Sequence, residues 1–76
     1  MGKMSEKAEE TLYRIMRDIR KLKRYGVEVH AVTVSPQLAT YKEEKEIARI
    51  LGLSTTEWCG DVESYVLKTD AHKSKH

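Results

Sequence analysis

The chain has 76 residues, with 14 Lys or Arg against 12 Asp or Glu, a formal net charge of +2 and one cysteine. That length admits a single domain, and a lone cysteine excludes an internal disulfide as the support that so small a core needs. No apolar run approaches the ~20 residues of a membrane span, and Met1–Glu6 lacks the apolar stretch of a secretion signal. The composition therefore reads as a soluble cytoplasmic protein with a reduced thiol.

The spacing predicts a first helix over 5–25. Ala8, Leu12, Ile15, Ile19 and Leu22 recur at intervals of 4, 3, 4 and 3, with Met16 widening the stripe. Ser5 is placed to cap its amino end, and Gly26 supplies the left-handed residue that closes many helices. Glu6, Glu9 and Glu10 gather near the start and Lys21, Lys23 and Arg24 near the end, both biases favouring the helix dipole.

Residues 27–34 (VEVHAVTV) are β-branched and free of Gly and Pro, which predicts a strand. Its apolar residues fall on both parities: Val27, Val29 and Ala31 on one face, Val32 and Val34 on the other. That pattern implies either cover on both faces or a shift of exposure midway. Ser35-Pro36 reads as a cap with proline in the first turn, opening a second helix over 36–51 that Gly52 ends. Residues 53–60 read as a loop, 62–68 as a last strand, and 69–76 as a disordered polar tail. Residues 1–68 thus form one small α/β domain of order α-β-α-β. Element lengths match a crossover unit, so the two strands are expected to pair in parallel under two helices. A two-stranded sheet is marginal alone, and extension through a homodimer is the expected remedy.

The candidate binding residues are Arg14, Arg17, Arg20, Lys21 and Arg24 on the first helix, together with Trp58. At 100° per residue the basic side chains form a ridge opposite the Leu/Ile stripe. The plain alternative is a solvated face, with Glu10–Arg14 and Arg14–Asp18 pairing at i,i+4 for only ~0.3–0.5 kcal/mol each. Those pairs leave Arg17, Arg20 and Arg24 without helical partners. Trp58 fits a loop anchor or an interaction hot spot. His30, Cys59, His72 and His76 show no metal-ligand spacing, and nothing surrounds Cys59 with a base or an orienting group. No catalytic residue, cofactor, metal or small-molecule substrate is expected. The reading is a non-enzymatic interaction module, an adaptor, inhibitor or regulator of phage or mobile-element type, that contacts a protein partner. The alternative is nucleic-acid binding through the basic face.

Overall fold

The computed structural model describes residues 4–56, 58 and 64–69. In chain order it contains α1 (Glu6–Arg24), β1 (Val29–Val34), α2 (Tyr41–Leu51), β2 (Ser54–Thr55) and β3 (Tyr65–Thr69). The sheet runs β2-β1-β3, with β1 parallel to β2 and antiparallel to β3.

The first helix forms where its periodicity places it. Ser5 Oγ accepts from Ala8 N at 3.2 Å. At the other end Gly26, at φ 77°, lets Gly26 N donate to Lys23 O and Val27 N to Leu22 O, both at 3.0 Å. These paired bonds satisfy carbonyls that the helix itself leaves open. The second helix starts later than the sequence suggested. Ser35 folds a separate turn, accepting from Leu38 N at 2.9 Å through its carbonyl and from Gln37 N at 3.2 Å through Oγ. Thr40 is the true cap: its Oγ1 accepts from Glu43 N at 3.2 Å while Glu43 Oε1 accepts from Thr40 N at 2.9 Å. A reciprocal capping box outcompetes a proline start because it satisfies two orphan donors at once.

The sheet has three strands, not two. The parallel partner of β1 is the two-residue β2, inside the stretch read as loop, with Ala31 opposite Ser54 and Val32 opposite Thr55. The crossover through α2 is therefore real but ends at β2. The last strand lies on the other side of β1 in antiparallel register, and Thr69, assigned to the tail, is its final residue. The positions 62 and 63 of the expected strand and the tail from 70 to 76 lie outside the described residues. Since β1 is flanked on both sides, the argument for a dimer from an incomplete two-stranded sheet no longer applies.

An irregularity in β1 explains its mixed parity. Val29 opposes Thr69, yet Ala31 opposes Lys68, so the register shifts between Val29 and Ala31. Residues directly opposite share a face. Val29 therefore shares its face with Thr69 and Leu67, and Val32 and Val34 share the same face through Leu67 and Tyr65. An inserted residue of this kind is a β-bulge. His30 is exposed beside that bulge, whereas Val32, two residues on, is fully buried.

One core joins the helices to that face. Ala8, Leu12 and Ile15 of α1 and Ile47 and Ala48 of α2 cluster with Val32 and Val34, and Tyr65 and Leu67 pack against them. Beyond the short β2, the exposed edge of β1 is closed by a side chain. Glu44, 8% exposed, accepts from Val34 N at 2.8 Å and from Thr33 Oγ1 at 3.4 Å. This carboxylate replaces the ladder bond that a longer strand would supply.

Candidate functional site

The exposed face of α1 changes character along its length. Arg14, Arg17, Arg20, Lys21 and Arg24 are all exposed, as the periodicity requires once Ala8, Leu12 and Ile15 enter the core. Among the described residues none of these five, nor Lys23, holds an ion pair. The i,i+4 pairs of Arg14 with Glu10 and Asp18 do not form. Asp18 is taken by the sheet instead: its Oδ2 accepts the Tyr65 hydroxyl at 2.6 Å. Burial and this bond push the Tyr65 phenol up to about 12, with Arg14 and Arg17 acting weakly in the opposite direction. Asp18, the acid that lies within the ridge, is thus engaged with β3.

Two exposed tyrosines accompany the cations. Tyr13 is 61% exposed and lies 4, 7 and 11 residues before Arg17, Arg20 and Arg24, which places all four on one side of the helix. Tyr25, 78% exposed, follows Arg24 directly at the helix end. The 4-7-11 spacing is the sequence signal that marks Tyr13 as part of this face.

Beside the ridge, the carboxyl ends of α1 and α2 stand apart around a cleft of roughly 490 Å³. Its apolar walls are Met16 and Ile19 from α1, Val29 at the start of β1 with Val27 just before it, and Leu51 at the end of α2 with Leu53 just after it. All six are half-buried, so their apolar surface is only partly removed from water. Arg20 and Lys23 from α1 and Glu28 from the segment before β1 add charge to the lining. Arg20 therefore belongs both to the ridge and to the cleft. The bulge in β1 is what turns Val29 towards this side, and no local sequence signal announces that.

Trp58 is half-buried and does not line the cleft. Cys59, His72 and His76, considered and set aside as chemistry-bearing groups, lie outside the described residues. Among the described residues no three His, Cys, Asp or Glu side chains come together as a metal cluster, and no helix is long and apolar enough to cross a membrane. No family model, no curated protein and no solved structure matches this chain.

Proposed function

We propose that this protein is a non-enzymatic interaction module of the cytoplasm that binds an acidic protein partner through the basic face of α1. One observation carries the reading: a row of exposed cations, without ion pairs among the described residues, runs directly into a half-exposed cleft that combines apolar side chains with charged ones. Charge supplies steering and orientation, while buried apolar contact supplies most of the holding strength at protein interfaces. Arg is also among the residue types that most often dominate such contacts. Homodimerisation and a contact through Trp58 belong to the same reading as further surfaces.

The test is zero-length carbodiimide cross-linking in an extract of the source cell, which joins lysine amines to carboxylates in direct contact. A specific partner attached through Lys21 or Lys23, lost when Arg17, Arg20 and Arg24 are changed to Gln, is the expected result. Cross-links spread evenly over all lysines, unchanged in that variant, would refute it.

A second reading has its own support. Exposed Tyr13 and Tyr25 beside the arginines provide ring faces on which unpaired bases could stack. Nucleic-acid binding predicts fluorescence-anisotropy affinity for short single strands that falls steeply between about 50 and about 200 mM salt. It also predicts a loss on replacing either tyrosine with Ala, which an acidic-protein site at the cleft does not.

A further inference from the structure

We infer that the cleft between the carboxyl ends of α1 and α2 receives a large apolar side chain from an acidic segment of the partner protein. The inference rests on the acidic-partner reading and adds to it the place and the chemistry of the anchor. At roughly 490 Å³ the cleft lies within the ~300–1,000 Å³ of ordinary ligand pockets. Four of its six wall residues, Met16, Ile19, Val29 and Leu51, belong to α1, β1 and α2, and Val27 and Leu53 come from the short connections next to them, so its shape rests on three separate elements of the fold. Its charged lining is net positive, with Arg20 and Lys23 from α1 against the single acid Glu28. Carboxylates flanking an inserted apolar group would therefore lie on the α1 side, in reach of Arg20 and Lys23, and continue along Arg17 and Arg24. Both rim cations are free of ion pairs among the described residues, so no internal partner must be displaced first.

A nucleic-acid strand makes poor use of such a place, because bases stack on flat aromatic faces and none of the described residues lining the cleft is aromatic. The chain's own tail is also a poor occupant. Residues 70–76 (DAHKSKH) carry two lysines and two histidines against one acid, matching the rim in sign.

The test uses the full chain, ¹⁵N-labelled, titrated with a capped synthetic peptide bearing glutamates on both sides of a Leu-Trp pair. Two control peptides replace the Leu-Trp pair by Gly-Ser, or every Glu by Lys. The expected shifts centre on the amides of Val27, Val29, Gly52 and Leu53. Affinity should fall about tenfold with the Gly-Ser peptide, and about tenfold in the Arg20→Gln/Lys23→Gln variant. Glu28→Gln should strengthen binding. Val27→Asp should weaken it, and if that variant does not fold, the exposed rim substitutions still decide the matter. Shifts confined to Arg14–Lys21, with the Gly-Ser peptide binding equally well, would overturn the cleft and leave the acidic-partner reading standing. Equal binding of the lysine peptide, or no binding of either acidic peptide, would overturn both.

Discussion

At the amino ends of α1 and α2 a single carboxylate holds the two helices together: Glu43 Oε2 accepts from Ser5 N and Glu43 Oε1 from Thr40 N, both at 2.9 Å. At their carboxyl ends the same two helices border the cleft, which Arg20 and Lys23 line without an ion pair among the described residues, together with half-buried apolar side chains. The first end has its donors met by acceptors and its charge used locally. The second has its backbone closed just as well, by Gly26 and Gly52 at φ 77° and 71°, but leaves side-chain charge and apolar surface unspent. The difference separates what holds the fold from what is available to a partner. Stability should respond to changes at one end, and binding to changes at the other.

The severest way to break the contrast is to remove the packing that both ends share. Ile47 is fully buried between the helices and the sheet. Ile47→Ala should cost about 2–5 kcal/mol. A core this small rarely supplies more than about 3–5 kcal/mol in total, so circular dichroism should show a largely unfolded chain.

Glu44→Ala acts at the sheet edge. It leaves the Val34 amide buried without its acceptor, for about 1–3 kcal/mol by urea denaturation. If Glu44→Ala were neutral, the edge-closing role of this carboxylate would be wrong.

Glu43→Ala sharpens the comparison at the amino end. Losing the capping box and the tie to Ser5 should cost ~1 kcal/mol while leaving binding unchanged. The backbone donors of Thr40 and Ser5 hold the Glu43 carboxyl below its ordinary value of 4.5. Its contribution is therefore present above about pH 4.5 and fades as pH falls through the lowered value. An acid titration of stability should show less of this loss in Glu43→Gln than in the unaltered chain.

Tyr65→Phe removes the bond to Asp18 and should cost about 0.5–1.5 kcal/mol. The phenol is raised from 10.0 to about 12. Its stabilising effect is thus complete below pH 10 and is lost as pH climbs towards 12. Tyr65→Phe should abolish that alkaline loss, measured by thermal unfolding across the range. The released Asp18 would also be free to pair with Arg14, weakening the ridge slightly.

Smallest in stability are the ridge substitutions. Arg17→Gln, Arg20→Gln and Arg24→Gln should each change unfolding free energy by no more than about 0.5 kcal/mol, as exposed helix positions do.

Local signals carried much of this architecture. The 4-3-4-3 stripe with Ser5 and Gly26 specifies α1 to within a residue, because each signal acts over one helical turn. The basic ridge follows from the same periodicity, since exposure of one face is the consequence of burying the other. The start of α2 was also readable: Thr40-x-x-Glu43 is a capping-box sequence, and Pro36 drew attention away from it. By contrast, β2 has two residues with no apolar pattern, and it exists only because α2 returns the chain alongside β1. The cleft was out of reach for a similar reason. It depends on the register shift at Val29/Ala31 and on the placement of two helix ends distant in sequence around one cleft. The diversion of Asp18 to Tyr65, 47 residues away, likewise has no local sign.

The most direct measurement pairs two variants against the unaltered chain: Arg17→Gln/Arg20→Gln/Arg24→Gln and Glu43→Ala, each assayed for partner recovery by affinity purification and for stability by urea denaturation. The predicted result is a double dissociation, in which the arginine variant keeps its stability and loses the partner while Glu43→Ala loses stability and keeps the partner. A partner retained by the arginine variant at full yield would contradict the account.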